Sequence, residues 1–198
     1  MNGGVIELDL RGPDQVEISE DTFGNILDAM ADSADIEGVT LLVPNGSVHL
    51  DRTAAESLRG KGPIPVSITA LNVDELNDTV KDKIGDRPIY SIGIGNASEF
   101  GNGGKLTVSL EYELREGENR DNLAVWFIDD EGNVEKYACT YSEGCVTFVT
   151  DHLSYYSVMY SEPGSGGFPV IYVAIAIIAL AAAVVAVLFL RKKGIINI

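Results

Sequence analysis

From Val170 to Leu190 the chain runs for 21 residues, VIYVAIAIIALAAAVVAVLFL, without a single charged group. At about 1.5 Å rise per residue, a helix of that length spans roughly 31 Å, the thickness of a bilayer's hydrocarbon core. A helix buried in a globular core keeps a polar stripe, and this segment has none on any face. A transmembrane helix is therefore expected. Arg191, Lys192 and Lys193 follow at once, whereas Glu162 is the only charged residue between His152 and the apolar run. The positive-inside bias places the C-terminus in the cytoplasm and residues 1–160 outside. Ser161 to Pro169, SEPGSGGFP, reads as a short flexible stalk. Tyr172 suits an interfacial anchor, and Ala174, Ala176, Ala179 and Ala181 to Ala183 would permit helix association.

The remaining composition narrows the function classes. Residues 1–169 carry all 30 acids of the chain but only 11 of its 14 bases, a net charge of −19. Nucleic-acid binding needs clustered Lys and Arg, so that class is excluded as an expectation. An outside domain must be exported, yet residues 1–20 have neither a basic n-region nor an apolar h-region. The expectation is that Met1 begins a piece of a longer surface protein. The competing reading is a cytosolic tail-anchored adaptor, which predicts free thiols at Cys139 and Cys145 and no glycan.

Cys139 and Cys145 are separated by five residues between two β-like runs, which suggests a disulfide across an antiparallel pair. Such a short loop would contribute about 2 kcal/mol. A zinc site is not expected, because there are no further cysteines and the only histidines are His49 and His152. Sequons at Asn45, Asn77 and Asn96 are candidate glycosylation sites. Asn45-Gly46 also suits a type I′ hairpin turn.

The expected fold is α+β and β-rich: a two-sheet, sandwich-like ectodomain with two or three short helices, followed by the transmembrane helix. Strands are expected at Val5–Leu10, Val39–Val43, Ser47–Leu50, Pro65–Leu71, Ile89–Ile94, Lys105–Leu114, Leu123–Asp129, Val134–Tyr141, Cys145–Thr150 and Ser154–Tyr160. Leu106, Val108, Leu110 and Tyr112 show the two-residue period of a sheet with one wet face. Ser19 can cap a helix over Glu20–Ala31, Asp51 one ending before Gly60, and Asp74 one ending before Gly85. A subdivision near residues 96–104, GNASEFGNGG counted from Gly95, is conceivable on composition.

The block Lys105 to Tyr160 contains LTVSLEYEL, LAVWFIDDEGNVEKYACTY and CVTFVTDHLSYYSVMY. Together with VPNGSVHLDRTAAESL and DRPIYSIGI upstream, it resembles the C-terminal β-rich module of many bacterial and archaeal cell-surface proteins. That resemblance covers roughly residues 1–160. It implies a non-catalytic, membrane-proximal domain accompanying adhesive, carbohydrate-binding or S-layer-attached modules. The partners implied are the lipid bilayer and, through upstream modules, other envelope proteins or glycans.

His152-Leu153-Ser154, with Trp126 on an earlier strand, also resembles the tripeptide of ZU5-type and GAIN-type domains, which cleave themselves before the final strand. The resemblance implies His152 as general base and Ser154 as nucleophile on the Leu153 carbonyl. Thr150 stands where GAIN-type domains have a cysteine. Asp151 and His152 equally suit a turn held by side-chain hydrogen bonds. Pro163, Gly164 and Phe168 are similar to an archaeal Pro-Gly-Phe sorting signal, with the residues separated.

Motifs for phosphate-, dinucleotide- or zinc-dependent chemistry, a nucleophile elbow and an EF-hand loop do not occur in the sequence. No cofactor is expected. Asp129, Asp130 and Glu131 form an acidic run that reads as a solvated hairpin tip or a loose calcium ligand set.

Overall fold

The computed structural model describes residues 4–12, 17–129 and 131–161. The chain order is β1 (Gly4–Asp9), β2 (Glu17–Ile18), α1 (Glu20–Asp32), β3 (Ile36–Val43), β4 (Gly46–Asp51), α2 (Arg52–Glu56), β5 (Ile64–Leu71) and α3 (Asp78–Ile84). There follow β6 (Ile89–Ile94), β7 (Leu106–Glu111), β8 (Leu123–Ile128), β9 (Val134–Tyr137), β10 (Thr140–Ser142), β11 (Cys145–Thr150) and β12 (Tyr155–Tyr160). Two six-stranded sheets result, β1-β3-β4-β7-β11-β10 and β2-β5-β6-β12-β8-β9. The β1–β3 pair is parallel, and the other described pairs are antiparallel.

Alternation writes the core. Val48 and Leu50, then Leu106, Val108 and Leu110, then Val146 and Phe148 project from the first sheet, all with no exposed surface. Ile64, Val66 and Ile68, Ile92 and Ile94, Val125, and Tyr156 and Val158 meet them from the second. Burying each large aliphatic side chain contributes about 1.5–3 kcal/mol. Ser19 caps α1 by accepting from Thr22 N at 3.2 Å, and Phe23, Ile26, Leu27 and Met30 complete the same core. A smaller cluster forms on the outer face of the second sheet, where Val80 and Ile84 of α3 pack with Ile89 and Ile128.

The strands define two poles. At the lower pole lie the β3–β4 and β10–β11 hairpins. Glu143-Gly144 have φ 51° and 82°, the positive angles of a type I′ turn. In the β3–β4 hairpin Val43 pairs with Gly46, so Pro44 and Asn45 are the central residues and only Asn45, with φ 69°, is left-handed; the expected type I′ turn on Asn45-Gly46 is not what forms, because proline fixes a negative φ before it. A Cβ on Gly46 would approach Ser109 O to 2.0 Å, so only glycine fits. At the upper pole the chain crosses from β11 to β12. Gly4 pairs with Ile36 at the start of β3, and β12 runs downward, so Gly4 and Tyr160 sit at opposite poles.

Several expectations need correction. The expected strand Val134–Tyr141 is two strands in different sheets, because the chain changes sheet at Ala138 and Cys139. Asn77, not Asp74, caps α3, its Oδ1 accepting from Val80 N at 2.9 Å. Each sheet draws strands from both sides of residues 96–104, and one core cluster joins them. The Cys139–Cys145 disulfide is not formed: both are free thiols. The hairpin register pairs Cys145 with Ser142 and Thr140 with Thr147, placing Cys139 three positions further along. At about 3.3 Å per residue this is roughly 10 Å, beyond disulfide reach.

The stalk beyond Ser161, the apolar run Val170 to Leu190 and the basic residues Arg191, Lys192 and Lys193 lie outside the described residues. Among the described residues no helix is long and apolar enough to cross a membrane.

Candidate functional site at the last crossover

Thr150 ends β11 in one sheet and Tyr155 begins β12 in the other, so Asp151 to Ser154 must bridge the sandwich. Backbone bonds seat this bridge. Phe100 N donates to Asp151 O at 3.2 Å, Leu153 N to Ser98 O at 2.8 Å, and Ile92 N to Ser154 O at 3.1 Å. His152 itself forms an isolated antiparallel bridge with Glu99.

Side chains add a second layer. Lys105 Nζ donates to Asp151 Oδ2 at 2.6 Å, and the other carboxylate oxygen lies 2.9 Å from His152 Nδ1. Those two partners, Lys105 first, hold the Asp151 carboxyl below its ordinary range. His152 Nε2 lies 3.3 Å from the Tyr137 hydroxyl and 4.0 Å from Glu135 Oε2. The imidazole meets Phe127 edge-on at 4.5 Å. Burial pushes the Tyr137 hydroxyl up to about 12, so it is a neutral donor at physiological pH.

Beneath the bridge, Tyr156 carries the decisive contact. Its hydroxyl donates to His152 O at 2.7 Å and lies 2.9 Å from Thr150 Oγ1. The ring is fully buried and packs on Phe148 at 4.9 Å and Phe127 at 5.8 Å. A tyrosine bonding the backbone four residues upstream, where a strand changes sheet, is the geometry of a tyrosine corner. The pattern Thr150-Asp151-His152-x-Ser154-x-Tyr156 thus encodes a fixed corner.

For acyl chemistry the pieces are not assembled. Both His152 nitrogens face other partners, and among the described residues the Ser154 hydroxyl makes no hydrogen bond to His152. Outside glycine, the described residues with positive φ are Asn45 and Glu143, so no left-handed backbone lies at Leu153-Ser154. Trp126 lies away from the corner, with Lys136 Nζ 4.7 Å from its ring centroid.

The other candidate residues are dispersed. Asn45 is part-buried and its Nδ2 donates to Ile68 O at 2.8 Å, so its amide ties the β3–β4 turn to β5 of the second sheet. Asn77 is exposed but its side-chain oxygen caps α3, and Asn96 is exposed in the turn after β6. Burial raises the Cys139 thiol to about 12 and also raises Cys145. No group of three or more His, Cys, Asp or Glu suited to a metal occurs among the described residues. Asp129 is used internally, accepting from the backbone of Glu131 and Asn133; Asp130 lies outside the described residues.

Sequence reasoning missed a second cluster at the lower pole. Glu118, 5% exposed in its side chain, accepts from Arg87, from the Tyr112 hydroxyl at 2.7 Å and from Arg115 N at 3.0 Å. Burial works to raise its carboxyl, but the bonds from Arg87 and Tyr112 prevail and hold it below the ordinary range. Arg87 also lies over the Tyr160 ring at 5.8 Å, and Ser161 N donates to Asn122 O at 3.0 Å. The cluster therefore clasps the end of β12. Arg87 and Glu118 are 31 positions apart, so no local pattern in the sequence could announce them. Compared with known proteins, the chain matches no family model, no curated protein and no solved structure.

Proposed function

We propose that this chain is a non-catalytic, membrane-proximal cell-surface module that anchors and spaces adhesive or binding modules of a longer exported protein. The observation that carries the reading is the charge-free run from Val170 to Leu190, closed by Arg191, Lys192 and Lys193. Two features of the fold support it. Gly4 and Tyr160 stand at opposite poles, as a spacer in series requires. The residues closest to a catalytic pattern, Asp151, His152 and Ser154, sit in a corner whose polar groups are tied to one another. The free cysteines carry no weight on compartment, because the hairpin register alone keeps them apart.

The test is alkaline carbonate extraction combined with protease treatment of intact cells expressing the chain with a C-terminal tag. Retention in the membrane pellet, digestion of the domain from outside and protection of the tag are expected. Release by carbonate, or a domain shielded from external protease, would overturn the reading.

A further inference from the structure

We infer that the domain is built to carry tension between its poles, with both terminal strands loaded in shear. The inference deepens the spacer reading and rests on it for the origin of the load. β1 enters at the upper pole and runs downward beside β3, in parallel, with five residue pairs in continuous register from Val5–Gly38 to Asp9–Leu42 and a register shift after Gly4–Ile36. β12 also runs downward and leaves at the lower pole. A force that separates the poles draws Gly4 up and Tyr160 down, along the strand axes. It acts across the interstrand hydrogen bonds, which lie perpendicular to the strands around β12 and slanted in the parallel β1–β3 pair. The bonds of a ladder must then fail together rather than one after another.

The two ladders differ in strength. β12 lies inside its sheet, with three register pairs to β6 and six to β8. Its exit is further secured by the clasp of Arg87, Glu118 and Tyr160. β1 is an edge strand held by β3 alone. Its bonds begin with Gly4 N to Asp35 O and end beyond the strand with Leu10 N to Leu42 O. The period-two pattern makes Ile6 and Leu8 the donors between them. The β1–β3 ladder is therefore the element that sets the rupture force.

Single-molecule pulling of the full chain in detergent micelles tests this. One geometry uses handles at the two chain termini. The comparison uses the N-terminal handle and one clicked to an unnatural residue at Ala34, exposed in the turn before β3. Both attachment points of the second geometry lie at the upper pole, so β1 peels away pair by pair. The expected result is a rupture force several times higher between the termini than from Ala34. Ile6→Pro, which deletes one ladder donor, should lower the terminal force and leave the peeling force nearly unchanged. Equal forces in the wild-type chain would overturn the inference, whatever the variant does, and would leave the carbonate result standing. Carbonate release with unequal forces would instead remove the anchor and the load that this inference assigns to it.

Discussion

Replacing Tyr156 with Phe removes one oxygen and little else. The ring is fully buried among Phe148, Phe127 and Tyr137, and those packing contacts survive the change. What disappears is the bond to His152 O at 2.7 Å and the contact with Thr150 Oγ1 at 2.9 Å. Each such bond contributes about 1 kcal/mol net, and a buried acceptor left unmatched costs more. Once the Tyr156 hydroxyl is gone, Thr150 Oγ1 can turn its one proton to the same carbonyl at 3.2 Å, which limits that penalty. A loss of about 2 kcal/mol is expected. With a urea slope of about 2 kcal/mol per molar, the unfolding midpoint should fall by about 1 M. The assay is urea denaturation of the full chain in detergent followed by Trp126 fluorescence, with Ser154→Ala as comparison. Since the Ser154 hydroxyl makes no hydrogen bond among the described residues, that variant should stay within about 0.5 kcal/mol of wild type. A Tyr156→Phe variant as stable as Ser154→Ala would refute the tyrosine corner. Paired fragments in wild type that vanish in Ser154→Ala would revive self-cleavage.

Further outcomes follow from other sites. His49 is 7% exposed, bonds Thr40 through Nδ1 at 3.0 Å, and is lowered below its ordinary 6.5 by burial. The unfolded chain therefore takes up a proton that the folded one resists, so stability should fall as pH drops below about 6.5. His49→Gln should flatten that slope in urea midpoints measured between about pH 5 and 7. Glu118→Ala strands the half-buried Arg87 and should cost about 3 kcal/mol by the same assay. A loss under about 0.5 kcal/mol would show that the clasp is ordinary surface pairing. Iodoacetamide should modify Cys145 before Cys139, whose thiol burial pushes up to about 12, and a mild oxidant should yield no internal bridge by intact mass.

Local chemistry made part of this fold readable. Ile89–Ile94 and Cys145–Thr150 are strands at the bounds their alternation suggests, and the β3–β4 hairpin forms, centred on Pro44-Asn45 rather than Asn45-Gly46. Ser19 and Asp51 cap their helices, each accepting from a backbone N–H three residues on. Such signals act within a few residues. The change of sheet at Ala138 has no such signal, because from Tyr137 to Ser142 half-buried and exposed residues alternate as in one continuous strand. The disulfide expectation failed for a related reason. It assumed a turn centred between the cysteines, whereas Glu143-Gly144 centres it nearer Cys145. At the corner, Thr150, Asp151, His152 and Ser154 stand out as polar residues before a strand. Their division between chemistry and scaffolding depends on where Tyr156 points, which only the packed sandwich decides.

The sheet change at Ala138 and Cys139 also governs how the molecule breathes. Along that side two residues join the edge of one sheet to the edge of the other, like the spine of a book. On the opposite side, the edge strands β1 and β2 are separated in sequence by residues 10–16, and α1 follows β2 directly. Transient opening should start at that fore-edge and swing about the spine. Amides of β1 and α1 should then exchange with deuterium at lower opening free energy than those of β8, β11 and β12. A ligand or antibody that wedges between the sheets would enter beside α1, leaving the corner of His152 and Tyr156 closed until the whole domain unfolds.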